Sequence, residues 1–197
     1  MLTNNEKQVL RWLAVNQKKD HSINEIARSC HLTPNGTYKL LAKLEKEQVL
    51  KAKLIANIKA YKLNFDSEKT EKILELAFMQ DITETNMKNR AEDFQPLKPI
   101  AKACIFFGSY TTAKKQPEDL DVLLVINQTD FEEYKQSLAK VQERTPLKIQ
   151  DILQTVGDLE QNLKKEDPVI CEAMLKGRVI WGFNILVQAI KNATRQD

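Results

Sequence analysis

Apolar positions in the first third of the chain recur at helical spacing and then change to alternation. In NNEKQVLRWLAV, residues Val9, Leu10, Trp12 and Leu13 form a helical stripe. QKKDHS interrupts it, and Ser22 then stands as an N-cap for INEIARSC, with Ile23, Ile26 and Ala27 inward and Glu25 placed for a capping box. After the short connection HLT, Thr33 caps a third helix whose first position is Pro34. At 100° per residue, Thr37, Leu40, Leu41 and Leu44 share one face of that helix, and Asn35, Lys39, Ala42, Lys43 and Lys46 share the other. VLKAKLIANIKAYKLN alternates and breaks at Ala56-Asn57, which predicts a β-hairpin tipped by Asn57.

The remainder mixes both periods. Ser67 is placed to cap a helix that is apolar nearly all round (Ile73, Leu74, Leu76, Ala77, Phe78, Met79), so it is expected to be buried against this chain or a second copy. ITETNMKNRAEDF predicts a further helix, ended by Pro96 and Pro99. IAKACIFF (100–107) and DLDVLLVIN (119–127) predict buried strands. A helix capped by Asp130 follows, then a third strand in PLKIQDILQT. Two more helices, the second with Asp167 and Pro168 at its start, precede a short strand RVIWG and a final helix. The expected fold class is α+β / α/β. Its parts are a helix–turn–helix unit with hairpin over 1–64, a helical connector over 65–98 that is a possible dimerisation element, and a small mixed-sheet domain over 99–197.

Charge divides the chain along the same lines. Residues 1–64 hold 12 Lys+Arg against 5 Asp+Glu, a net +7, and the remainder holds 18 against 22, a net −4, which together return the overall +3. The basic front half points to a polyanionic partner. Composition, 42% hydrophobic and 29% charged, is that of a globular chain, and no run of about 18 apolar residues suggests a membrane span. The opening MLTNNEKQVLRWLAV has no basic segment ahead of a continuous apolar stretch, so no signal peptide is expected. Cys30, Cys104 and Cys171 are odd in number and scattered, which fits reduced thiols and a cytoplasmic location. With only His21 and His31, a Cys/His zinc site is not expected.

A short helix, a tight turn, a longer basic helix and a hairpin, as in TPNGTYKLLAKLEKEQVLKAKLIANIKAYKLN, resemble the winged helix-turn-helix regulators of bacteria and archaea. The resemblance covers residues 4–64. It implies a double-stranded DNA partner, with Asn35, Thr37, Tyr38, Lys39 and Lys43 near bases or phosphates and the wing residues Lys53, Asn57 and Lys59 near the backbone or minor groove. Gln48 stands where the family usually has Gly before the wing. Arginine is scarce here, with Arg11 and Arg28 alone, so clustered lysine would supply affinity more than base discrimination. Winged helices also serve as protein-binding modules. Palindromic operators imply a homodimer.

The second pattern with chemical content is FFGSYTTAKKQPEDLDVLLVI. On a strand, Asp119 and Asp121 point the same way, with Leu120 and Val122 on the other face. Two like charges so placed raise each other's pKa unless a cation joins them, and an all-oxygen donor set suits Mg²⁺ or Mn²⁺ together with substrate phosphates. Gly108-Ser109 allows close backbone approach and offers a small hydroxyl to a phosphate oxygen. Gly-Ser, nine residues and Asp-Leu-Asp, flanked by two apolar runs, resemble the minimal motif of the DNA polymerase β-like nucleotidyltransferase superfamily, over roughly residues 85–190.

That resemblance implies that Asp119 and Asp121 hold metal, and that Gly108 and Ser109 hold the triphosphate of a nucleoside triphosphate. Lys114 or Lys115 would replace a basic contact that members place after Gly-Ser-Tyr. The implied reaction moves a nucleotidyl group to a hydroxyl on nucleic acid, a small molecule or a protein acceptor. Active members carry a third carboxylate on the next strand. Here that position falls on Gln150, with Asp151 one residue away, so Asp151 could complete a catalytic set only through a bulge. Two readings therefore stand: a DNA-binding metal-dependent nucleotidyltransferase, or a winged-helix transcriptional regulator whose impaired nucleotidyltransferase-like domain senses nucleotide or mediates dimerisation.

Overall fold

The computed structural model describes residues 1–80, 82, 84–111 and 117–194. Helix α1 (Asn4–Val15) opens on a capping box, in which Thr3 Oγ1 accepts from the Glu6 N–H at 3.2 Å and Glu6 Oε2 accepts from the Thr3 N–H at 2.7 Å. The box expected at Ser22 is only half made. Ser22 Oγ accepts from the Glu25 N–H, but the Glu25 carboxylate turns to Lys19 and His21. Ser22 also belongs to a two-residue strand, β1 (His21–Ser22), too short for alternation to announce it. α2 (Ile23–Ser29) and α3 (Pro34–Lys46) follow, the latter capped by Thr33 as expected. β2 (Leu50–Ile55) and β3 (Ile58–Leu63) meet at Ala56 and Asn57, with φ of 46° and 66°, values that suit a tight two-residue hairpin. The small sheet has the order β1-β3-β2. This element order is that of a winged helix, and Gln48, where glycine is usual, sits at a φ of 62°.

α4 (Glu68–Phe78) buries Leu74, Ala77 and Phe78 and leaves Leu76 and Met79 exposed. Ser67 makes no side-chain cap to it. α5 (Thr85–Asp93) leads to the second sheet. Its strands are β4 (Ala101–Phe107), β5 (Asp119–Ile126), β6 (Lys148–Gln154) and β7 (Arg178–Trp181), in the order β6-β5-β4-β7. β4 runs antiparallel to β5 and β7, whereas β5 and β6 are parallel and joined through α6 (Phe131–Arg144). Asp130 does not cap α6, because its carboxylate accepts from Asn127 and Thr129 instead. α7 (Val156–Lys165), α8 (Pro168–Lys176) and α9 (Phe183–Thr194) complete the chain, with Asp167 capping α8 as expected.

The sheet separates two cores. One face (Cys104, Phe106, Leu120, Val122, Leu124) packs on Phe94, Leu97 and the α6 residues Tyr134 and Val141. The other face (Ala103, Ile105, Phe107, Leu123, Val125) packs on α7–α9, and the same cluster continues without a break into Leu74 and Phe78 of α4 and Val9, Leu10, Leu41, Leu44 and Tyr61 of the winged helix.

Candidate functional site

β4 ends in Gly108, which opens a 3₁₀ turn over Gly108–Thr111. Thr111 Oγ1 donates to Gly108 O at 3.0 Å and Tyr110 Oη donates to Asn86 O at 3.1 Å, which fixes the turn. Gly108 has a φ of +68°, and a Cβ there would lie 2.0 Å from Asp121 Oδ2. The glycine thus lets the strand end close directly over the carboxylate. Ser109 is exposed on the same turn. Asp119 and Asp121 both stand on β5 on the side of Leu123 and Val125, as the alternation requires. Burial, then the charges of Asp119 and Glu172, push the Asp121 carboxyl above its ordinary value.

The third position is settled by register. Asp121 pairs with Gln150 and Val122 with Asp151 along an unbroken parallel ladder, so Gln150 shares the face of the two aspartates and Asp151 does not. Gln150 Nε2 donates to Asp119 Oδ2 at 3.2 Å. Asp151 Oδ2 accepts from the buried Tyr134 hydroxyl at 2.8 Å, on the α6 side of the sheet. The expectation that a bulge carries Asp151 to the aspartates is corrected: β5–β6 has no bulge, and the Tyr134 bond holds the carboxylate on the opposite face. Lys114 and Lys115, expected to contact phosphate, lie outside the described residues.

Tested by donor chemistry, this set fits one hard divalent cation with phosphate oxygens completing its shell. It does not fit a two-metal centre, since no group of three or more acidic, His or Cys side chains placed to hold an ion occurs among the described residues. The Gln150 amide directs a partial positive charge at Asp119.

The helix-turn-helix surface is also distributed differently from expectation. Asn35, Tyr38 and Lys39 are exposed on α3, and Asn57 is exposed at the wing tip. Thr37 is fully buried, which removes it from any DNA-facing set; the 100° spacing already places it with Leu41 and Leu44. Its hydroxyl has no hydrogen-bond partner among the described residues. Thr37→Val is therefore expected to stabilise the protein by about 1 kcal/mol in denaturant titration.

Three expected DNA-contacting lysines are engaged by carboxylates. Lys43 Nζ meets Glu6 Oε1 at 2.7 Å, Lys59 Nζ meets Glu45 Oε2 at 2.6 Å, and Lys53 pairs with Asp20. Burial alone would raise the Glu6 carboxyl, but hydrogen bonds from Lys43 and Thr3 outweigh it and hold the pKa below the usual value. Lys39 has no such partner among the described residues. The wing tip itself is apolar, with Leu54, Ile55 and Ile58 exposed.

No family model matches the chain, and no curated protein does. The chain is similar to a solved structure, a crystal structure of a mutant of MepR from a multidrug-resistant S. aureus clinical isolate, at 16% identity and a TM-score of 0.36, over 73% of this chain and 79% of that one. A likeness of that size assigns no function, and the readings below rest on residues and geometry.

Proposed function

We propose that the protein is a winged-helix DNA-binding regulator whose C-terminal sheet domain takes up a metal-bound nucleotide and does not transfer it. The observation that carries this reading is the β5–β6 register, which seats Gln150 rather than a carboxylate beside Asp119 and Asp121. A neutral amide cannot take the proton of an attacking hydroxyl and is a poor ligand for a hard cation. Asp119 and Asp121 would hold the ion, Mg²⁺ or Mn²⁺, which neutralises both carboxylates and the phosphates against them. Gly108 and Ser109 would accommodate the phosphate chain at the turn, where the absent Cβ leaves room. Gln150 already bonds the carboxylate that an incoming ion would share.

For the front half, the reading is supported by the winged-helix element order, the +7 charge of residues 1–64 and the exposed Asn35, Tyr38 and Lys39 on α3. Its test is a pair of measurements. Mg²⁺-dependent binding of labelled nucleoside triphosphate is expected without label appearing on any component of a cell extract, and transfer of label would return the protein to the enzymes.

Lys39→Ala is expected to weaken binding to duplex DNA and to flatten the dependence of log affinity on log salt by about one. Lys39 is the informative position because it is exposed and unpaired among the described residues, whereas Lys43→Ala would also strand the nearly buried Glu6. An unchanged salt dependence would place the nucleic-acid surface elsewhere.

A further inference from the structure

α1, the turn between α2 and α3, and the α8–β7 junction line a cleft of about 540 Å³. Its cations are Lys7, Arg11, Lys176 and Arg178, and no carboxylate lines it among the described residues. Arg11 is 7% exposed. Part of its burial is explained by α8. Arg11 Nη2 donates to Met174 O at 2.7 Å and to Gly177 O at 3.0 Å, and Nε donates to Met174 O at 3.3 Å, at the negative end of that helix. The guanidinium also lies 5.5 Å from the centre of the Phe78 ring. Nη1 is left without a hydrogen bond among the described residues.

Its neighbour Arg178 is held by the Gln80 side-chain carbonyl, and Lys7 Nζ by Met79 O at 2.7 Å, so neutral oxygens satisfy these donors without cancelling their charge. Among the described residues Lys176 alone of the four has a carboxylate partner, Glu172 at 2.9 Å, which lies outside the cleft lining. Burial, then repulsion from Arg178, lowers the Arg11 pKa to about 10. Two guanidinium groups brought together in a recess with no counter-charge among the described residues are costly unless an anion completes the arrangement.

We propose that this cleft is a binding site for a small anion bearing a carboxylate or phosphate group, received by Arg178 and by Nη1 of Arg11. Guanidinium groups present paired N–H donors that match the oxygens of either group, and the volume suits a ligand of metabolite size. Ser29, Cys30 and His31 of the wall form the turn that sets α3, so an occupant would touch the segment that orients the exposed helix.

Titration calorimetry of the full chain, in buffer freed of divalent ions by chelating resin and containing no soluble chelator, separates this site from the aspartates, because nucleotide uptake there needs a divalent ion. Citrate and inorganic phosphate, at constant ionic strength set with chloride, distinguish the carboxylate from the phosphate source. Saturable binding of at least one is expected. Arg178→Gln should weaken it roughly ten-fold or more, and Lys176→Gln, an exposed change, should weaken it by a smaller factor. Absence of saturable binding of both anions overturns the proposal, as does binding that Arg178→Gln and Lys176→Gln both leave unchanged.

Discussion

Asp121→Asn is expected to abolish Mg²⁺-dependent nucleotide binding while making the metal-free protein more heat-stable. The two effects have one cause. Asp121 carries a pKa raised by burial and by Asp119 and Glu172, so its ionised form is disfavoured in the folded chain. A carboxylate whose folded pKa lies above its unfolded one contributes fully below the unfolded value and loses that contribution as pH rises through the folded value. At neutral pH the native aspartate is therefore a liability, and the amide removes it. In EDTA the variant should melt higher at pH 7, and this gain should vanish near pH 3, below the ordinary carboxylate range, where Asp121 is protonated. With Mg²⁺ and nucleotide the order should reverse, since on the proposed reading only the wild-type carboxylate would hold the ion. Removing a direct ligand should cost more than the roughly 10–100-fold that loss of a supporting partner costs. Calorimetry reads the affinity and a pH series of melts reads the stability. Metal-stimulated binding that survives in the variant would sink the site assignment.

Gly182→Ala should produce the largest loss of stability of any single change considered. Gly182 joins β7 to α9 at a φ of +85°, and a Cβ there would meet Lys102 O at 2.3 Å and the Ala103 Cα at 2.5 Å. Backbone atoms cannot step aside as a side-chain tip can. A left-handed conformation costs a non-glycine residue roughly 1–2 kcal/mol, and overpacking adds roughly 1–3 kcal/mol, so a loss of about 2–5 kcal/mol is expected. For a chain of this size that corresponds to a fall in melting temperature on the order of 10 °C. Thermal and denaturant unfolding check it, and an unchanged midpoint would mean that β7 does not pack against β4 at Lys102–Ala103.

The local structure was legible where a single segment decides it. Thr33 with Pro34, and Asp167 with Pro168, mark helix starts that the structure keeps, and Asn57 marks the hairpin tip. The shared face of Asp119 and Asp121 follows from strand alternation alone. What the sequence left open depends on partners distant in the chain. The choice between Gln150 and Asp151 is a matter of register between two strands, and the anchor that holds Asp151 away, Tyr134, lies on the crossover helix. The charge count of the basic half was readable, but its effective charge was not, because Glu6, Glu45 and Asp20 engage Lys43, Lys59 and Lys53 only after folding. Thr37 shows the opposite failure. Helical spacing places it inward, and the family resemblance alone assigned it to DNA. The cleft at Arg11 and Arg178 had no sequence signature, since its two arginines are brought together by the packing of α1 on α8.

The core that runs unbroken from Val9 in α1 to Ile190 in α9 means that the winged helix has no hinge of its own. Anything that tightens the C-terminal helices also withdraws freedom from α3, and the chain should melt in one step rather than two. A fragment ending after the hairpin would bare the apolar face of α1 that α4 and α8 cover, and would be prone to clump rather than to stand free. Signal and response would then share one folding equilibrium, and a ligand that stabilises either end would register as a change in the rigidity of both.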